Sequence, residues 1–162
     1  MLVPQTRCSL QRFYGRNDLH FVTFSCYHRV PLLGSPSNRT CFVEMLDTTR
    51  HYHGFLLLGY VVMPEHVHLL MSEPKLGTPS QTLQVLKQKV SARLAATHTN
   101  SAFWQRRFYD FNIWSSEKLE EKLTYIHNNP TERGLVSHPR DWPWSSWSYY
   151  TLKRGLIPID TL

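Results

Sequence analysis

The sequence predicts a single α+β domain in which helices pack on an antiparallel sheet. Segments with the alternating pattern of strands are interleaved with segments of helical periodicity along the 162 residues. Two of the predicted strands are joined by so short a turn that they must pair as neighbours. The chain is long enough to bury one core of its own, which favours one domain over residues 1–162.

Four segments are predicted as strands. His20–Cys26 alternates in polarity and is rich in β-forming residues. Phe55–Met63 is a continuous apolar run that Pro64 ends, and His66–Met71 follows it directly. Phe108–Trp114 is aromatic and β-branched, which predicts a strand or an extended segment.

Two helices are predicted between these strands. Asn38 or Thr40 is expected to cap the first helix, which runs to about His51. The second begins at Thr78, which has the capping-box spacing to Gln81 and is followed by a proline at the first helical position.

A third helix is predicted after the last strand. Ser115 or Ser116 is expected to cap it, and it runs from Glu117 to about Asn129. Pro130 is expected to end it, because the residue before a proline is pushed out of helical geometry.

The composition limits the class of protein. The segment 141–147 is expected to be packed but irregular, so the predicted domain has a core at about 20–150 with an N-terminal arm and a C-terminal tail. No apolar run has the roughly 20 residues of a membrane helix, and no signal peptide is evident. Cys8, Cys26 and Cys41 are widely spaced, which favours free thiols and a cytoplasmic protein without a membrane partner.

The charge favours a polyanionic partner. Eighteen Lys and Arg against twelve Asp and Glu give a net charge of +6, and aromatic residues make up 13% of the chain. Cations beside aromatic rings suit the phosphates and unpaired bases of a nucleic acid. The alternative is that the aromatic residues fill the core and the basic residues only solubilise the protein.

Two histidines on a predicted strand are candidate metal ligands. His66 and His68 are two residues apart, so both imidazoles project from the same face of the strand. Such a pair suits a divalent metal, although two half-buried, hydrogen-bonded histidines are the alternative. His51 and His53 have the same spacing at the end of a predicted helix, where i and i+2 diverge by about 200° and should not converge on one ion.

A tyrosine and an asparagine share one face of the third predicted helix. Tyr125 and Asn129 are one turn apart, and Lys118 and Lys122 lie on the same flank. A phenol, an amide oxygen and two ammonium groups would form a platform for a phosphodiester. The alternative is a tyrosine at the edge of a helix and an asparagine that closes it, with no function.

Four motifs occur in order along the chain: Met63–Leu70, Phe103–Phe108, Tyr125–Val136 and Asp141–Ser146. This series resembles the single-tyrosine transposases of the HUH class, and most of all the REP-associated tyrosine transposases. The resemblance covers most of the chain, from about Phe21 to about Tyr149.

The resemblance implies a ferredoxin-like antiparallel sheet and a complete active site. His66 and His68 match the two metal-binding histidines, Tyr125 matches the nucleophile, and Asn129 stands where the family has a third, polar ligand. The implied cofactor is Mg²⁺ or Mn²⁺. His127, between Tyr125 and Asn129, departs from the pattern and is either a passenger or a proton-transfer group.

The resemblance also implies an activity and a partner. The expected reaction is cleavage and rejoining of single-stranded DNA beside hairpin-forming palindromic repeats, through a covalent 5′-phosphotyrosine, by a monomer or a homodimer. A binding module for hairpin DNA without catalysis is the main alternative, and a nuclease that uses water is a third. The candidate DNA-contacting residues are Arg7, Arg12, Arg16, Lys87, Lys89, Arg93, Trp104, Arg106, Arg107, Lys118 and Lys122.

Overall fold

A computed structural model describes residues 12–97 and 102–162, which form a four-stranded antiparallel sheet with helices on both faces. The strands are β1 (Leu19–Ser25), β2 (Leu57–Val62), β3 (His66–Ser72) and β4 (Tyr109–Ile113). The helices are α1 (Pro36–His53), α2 (Pro79–Arg93), α3 (Ser116–Glu132) and α4 (Trp147–Leu152). The spatial order β2-β3-β1-β4 and the chain order βαββαβ up to β4 confirm the predicted ferredoxin-like fold.

The two faces of β3 serve different layers of the molecule. Val67 and Leu69 point into the larger core, which α1 and α2 cover. Leu70 lies in a second core, between the sheet and α3, and His66 and His68 project from that same face because side chains alternate along a strand. The pattern of β3 therefore places both imidazoles under α3 while the main core stays apolar.

The starts of α1 and α2 were predicted with different success. Thr78 and Gln81 form the predicted capping box at the start of α2. For α1 the predicted caps, Asn38 and Thr40, were wrong, because Ser35 caps the helix and its side chain accepts the backbone N–H of Asn38. Asn38 is thus the residue whose amide is capped, and α1 begins one turn earlier than expected.

The end of α3 also differs from the prediction. Pro130 lies inside the helix, which continues to Glu132. A proline inside a helix removes its own N–H and crowds the carbonyl four residues before it, but it leaves the other N–H groups able to bond. Here the backbone bonds on either side are kept, since Arg133 N–H donates to the Asn129 carbonyl and Leu135 N–H to the Pro130 carbonyl. The prediction that Pro130 ends the helix was therefore wrong by about one turn.

The approach of α3 to the sheet depends on a glycine in β2. A Cβ placed on Gly59 would lie 2.8 Å from Leu123 Cδ2 and 3.6 Å from Ile126 Cδ1. Real Cβ atoms do not come so close to another carbon, so the absence of a side chain at this position lets α3 settle on the strand.

The free edge of β2 is covered by the segment that follows α3. Val62 N–H donates to the Trp144 carbonyl, and Ser146 N–H donates to the Tyr60 carbonyl. Trp142 is buried and donates its indole N–H to the Val62 carbonyl. The predicted packed tail is therefore an extra layer of backbone pairing, and β4 remains the other edge of the sheet.

Two observations bear on compartment and membrane. Cys26 and Cys41 carry free thiols, as predicted, whereas Cys8 lies outside the described residues. Within residues 12–97 and 102–162 no helix has the length and apolar character needed to cross a bilayer.

Candidate functional site

The site is built on the two histidines of β3. His66 and His68 are both buried, and their Nε2 atoms lie 3.0 Å apart. The two rings meet edge to face, with centroids 4.7 Å apart. The strand therefore brings two imidazole nitrogens to one point, as the i and i+2 spacing predicted.

Each ring is held through its other nitrogen. His66 Nδ1 lies 2.8 Å from Glu65 Oε1, and His68 Nδ1 lies 2.7 Å from Thr23 Oγ1 on β1. Because a carboxylate only accepts hydrogen bonds, the proton of neutral His66 is on Nδ1 and its Nε2 offers a lone pair. Hydrogen bonds of this kind orient the ligating histidines of metal sites.

Burial favours the neutral form of both rings. It lowers the pKa of His66 below its ordinary value, although Glu65 opposes the shift, and together with neighbouring positive charge it lowers the pKa of His68 to about 3. Neutral imidazole is the form that binds a metal ion. Both shifts therefore favour the ligating form of the pair.

Tyr125 of α3 reaches over the histidine pair. Its ring centroid is 5.2 Å from that of His68, and 41% of the residue is exposed to solvent. Tyr125 and His68 line a shallow groove of about 290 Å³ together with Thr23 and Lys122. The phenol is thus beside the imidazoles and still open to a large substrate.

Asn129 lies one turn after Tyr125, and its neighbours fix its place. Tyr125 contacts His68, while Arg133, one turn beyond Asn129, lies 3.6 Å from Glu65. Since residues four apart form one row on a helix, Asn129 is on the row that passes over the histidine pair. Its side chain is buried, and its Oδ1 has no hydrogen-bond partner among the described residues.

The donor set fits a divalent ion. Imidazole nitrogens lie about 2.1 Å from such an ion, so two of them at right angles are about 3 Å apart, as found here. No third histidine, cysteine or carboxylate joins the pair within the described parts of the chain. The unpartnered amide oxygen of Asn129 is a donor that could complete a three-ligand set.

His127 does not belong to this group. Its Nε2 lies 2.8 Å from Ser146 Oγ, its ring contacts Tyr150, and burial lowers its pKa to about 4. Positions 125 and 127 are separated by about 200° around a helix. His127 therefore fastens α3 to the C-terminal segment and is not placed for proton transfer at Tyr125.

Several of the predicted DNA-contacting residues line a second groove. It has a volume of about 390 Å³, and Arg12, Lys87 and Arg106 lie along it. Arg12 stacks on the ring of Phe108 at 3.8 Å. Trp104 forms part of the wall, but it is buried in the core and donates its indole N–H to the Lys87 carbonyl, so it offers no free face to a base.

The remaining predicted contacts are dispersed. Lys89 lies over the exposed ring of Tyr52 on the α1 and α2 side of the sheet, away from the histidine pair. Arg16 is stacked on Phe13, and Arg93 lies at the end of α2. Arg107 lines a small groove with Thr23 and Tyr109. Lys118 and Lys122 lie on α3 beside aromatic rings. Arg7 lies outside the described residues.

The sequence reasoning missed the residues that support the histidines. Glu65 precedes His66 directly, so a carboxylate next to a candidate ligand was a usable signal. Thr23 is different, because it meets His68 only through the register that pairs β1 with β3. Nothing local in the chain predicts that pairing.

Comparisons with known proteins point to one family. A profile of the family described as transposase IS200-like matches residues 15–129, a span that includes the histidine pair, Tyr125 and Asn129. The chain is 31% identical over 150 residues to the REP-associated tyrosine transposase of Escherichia coli K12, covering 93% of this chain and 88% of that protein. It is 30% identical over 126 residues, 70% of each chain, to a Haemophilus influenzae protein provisionally given the same name.

A solved structure supports the fold. A REP-associated tyrosine transposase bound to a REP hairpin superimposes with a TM-score of 0.75, covering 95% of this chain and 90% of that one, at 24% identity.

Proposed function

The chain belongs to the IS200-like transposase family, with REP-associated tyrosine transposases among its relatives, and we propose from this premise that it cuts and rejoins single-stranded DNA through Tyr125. The observation that carries the proposal is the contact of Tyr125 with His68, whose Nε2 lies 3.0 Å from that of His66. A phenol that only packed against the sheet would not need a buried, neutral histidine pair beside it.

In the proposed reaction the Tyr125 hydroxyl attacks the phosphorus of a DNA phosphodiester. The bond between phosphorus and the 3′ oxygen breaks, so the products are a 5′-phosphotyrosine and a free 3′-hydroxyl. The phenolic proton passes to water, and the leaving 3′ oxygen takes up a proton. A 3′-hydroxyl can later attack the phosphotyrosine and restore a phosphodiester, with Tyr125 as the leaving group and no need for ATP.

The remaining residues of the site would hold the metal, neutralise charge on the phosphate and orient the histidine rings. His66, His68 and Asn129 would hold Mg²⁺ or Mn²⁺, which when bound supplies positive charge to a nonbridging phosphate oxygen. Lys122, one turn before Tyr125 and in the same groove, adds a fixed positive charge next to the phenol. Glu65 and Thr23 hold the two rings in place from behind.

The relatives indicate the class of substrate. A REP hairpin is bound in one solved structure of similar fold, and REP-associated proteins are among the similar sequences. We therefore propose a hairpin with an unpaired extension as the substrate of this chain. Its net charge of +6 and the cations along the 390 Å³ groove favour such a polyanion.

The test is formation of a covalent protein–DNA adduct. Labelled oligonucleotides that contain a hairpin and an unpaired extension are incubated with the protein and Mg²⁺ or Mn²⁺, and adducts are resolved on a denaturing gel. We expect a covalent band that chelation of the metal removes and that Tyr125→Phe abolishes. Tyr52→Phe, which alters an exposed tyrosine on the other side of the sheet, is the matched control and should leave the band unchanged.

Two outcomes would replace this proposal. Salt-sensitive hairpin binding that never yields an adduct, and that survives His66→Ala, would make the chain a binding module. Metal-dependent cleavage without a covalent band, unaffected by Tyr125→Phe, would make it a nuclease that uses water.

A further inference from the structure

A row of three aromatic rings runs along the free edge of the sheet, with the two outer rings exposed and the middle ring, Phe111, partly buried against the core beneath α3. Tyr109 and Phe111 on β4 have nearly parallel rings, 6.4 Å apart and inclined by 14°, and Trp114, directly after the strand, lies 5.1 Å from Phe111. Trp114 is 69% exposed and Tyr109 is 46% exposed. We call these three residues the aromatic ladder.

Two lysines of α3 flank the aromatic ladder. Lys122 Nζ lies 4.9 Å from the ring centroid of Phe111, and Lys118 Nζ lies 5.6 Å from that of Trp114. Glu121, which is exposed, lies 2.8 Å from Lys118 and 3.9 Å from Lys122. The ladder therefore has a net positive border. Among the described residues, Glu121 is the carboxylate that contacts these lysines, and it is exposed to solvent.

The aromatic ladder is continuous with the candidate site. Tyr109, its first member, lines the same 290 Å³ groove as His68, Lys122 and Tyr125. Phe21, which contacts Tyr109 and Tyr125, forms the floor between them. A strand that places a phosphate at Tyr125 can thus continue over Tyr109 toward Trp114 without leaving the surface.

We propose that the aromatic ladder stacks unpaired bases of the DNA strand next to the scissile phosphate, while Lys118 and Lys122 hold its phosphates. The proposal rests on the proposed function, because the ladder is connected to the site of cleavage. Only an unpaired strand exposes base faces to such rings, since a duplex keeps them inside. Stacking is also tolerant of sequence, so the ladder would hold and align the strand and leave sequence recognition to other residues.

The test measures binding of single-stranded DNA without chemistry. A short fluorescent oligothymidylate is titrated with the full-length protein at low salt and with a chelator, and its anisotropy is followed. Because each stacked base contributes about 1–3 kcal/mol, Trp114→Ala is expected to weaken binding at least about fivefold. Trp114→Phe keeps a ring and should retain most of the affinity. Tyr52→Ala removes an equally exposed ring that also lies beneath a lysine, on the far side of the sheet, and should change nothing.

Oligonucleotide binding by Trp114→Ala that equals the wild type, with an unchanged thermal melt, would overturn the proposal. So would a loss of self-association in the DNA-free Trp114→Ala protein, measured by sedimentation, with DNA binding unaltered, since the ladder would then be an interface between copies. The failure of the proposed function is distinct, because it shows as a missing covalent band with Mg²⁺ or Mn²⁺ even when the ladder binds DNA.

Discussion

The two histidine pairs of this chain have identical spacing but different surroundings. In the His66 and His68 pair the Nε2 atoms lie 3.0 Å apart, beneath Tyr125. At the end of α1, His51 is exposed and its Nδ1 bonds the Asp47 carbonyl, whereas His53 is buried with its Nδ1 3.2 Å from the Leu76 carbonyl. The two rings of the second pair are therefore held at different places, one within α1 and the other at Leu76, after β3.

The difference shows that spacing acquires meaning from the backbone beneath it. On a strand, positions i and i+2 share a face, while on a helix they are about 200° apart. The rings of both pairs are held through Nδ1, so the feature that distinguishes the pair on β3 is the convergence of its two Nε2 atoms.

The largest effect is expected from removing His66, and the matching substitution in the other pair is the control. His66→Ala should reduce both Mn²⁺ affinity and adduct formation by at least about 100-fold, since loss of a direct ligand should exceed the loss of a supporting hydrogen bond. His51→Ala removes an exposed ring with the same spacing to its neighbour and should leave both unchanged. Titration calorimetry with Mn²⁺ and the gel assay give the two readouts. If the two variants behave alike, the pair on β3 is not the metal site.

The sequence was sufficient to predict the features that depend on local pattern. The capping box at Thr78, the tight turn between β2 and β3 and the orientation of His66 and His68 all follow from short-range rules. The resemblance to a known family supplied the ferredoxin-like fold and the prediction that Asn129 is a metal ligand.

The features that depend on packing could not be predicted. Pro130 looked like a helix end, yet tertiary contacts hold the last turn of α3 around it. Trp104 looked like a ring for bases, yet it packs against Phe24 and Phe42 in the core. Phe108–Trp114 was predicted only as a strand, because its place at the sheet edge beside α3 depends on pairing with a strand about 90 residues earlier.

A somewhat smaller effect is expected at Asn129, the proposed third metal ligand. Asn129→Ala should lower Mn²⁺ affinity by about 10- to 100-fold, in line with loss of a metal contact. The free energy of unfolding of the metal-free protein should change little, because the buried Oδ1 has no partner to lose within the described residues. Asn128→Ala, on the neighbouring position of α3, is the matched control for calorimetry and urea unfolding. A large loss of stability with unchanged metal affinity would make Asn129 a structural residue.

A third effect concerns the group behind His68. Thr23→Val keeps the shape of the side chain but removes the hydroxyl that lies 2.7 Å from His68 Nδ1. The ring then loses its orienting bond, and Mn²⁺ affinity should fall by about tenfold. Thr23→Ser retains the hydroxyl and should recover most of that loss. Equal affinities for the valine and serine variants would show that packing alone holds the ring.

The smallest effect is expected at His20, a histidine outside the proposed metal site, and it concerns the pH dependence of stability. His20 is fully buried at the other end of β1, where burial lowers its pKa but Asp110, 2.8 Å from Nδ1, and Glu73, 3.5 Å from Nε2, outweigh burial and raise it. The pKa values of His66 and His68 are shifted the other way.

The folded protein holds the His20 proton more tightly than the unfolded chain does. The interaction of His20 with the two carboxylates therefore stabilises the fold below the unfolded-state pKa, and this stabilisation is lost as pH rises through the folded-state pKa. Urea unfolding at about pH 6 and about pH 8 should therefore show wild type losing more stability with rising pH than His20→Gln does. A wild type and a variant with the same pH dependence would mean that the two carboxylates do not hold a proton on His20.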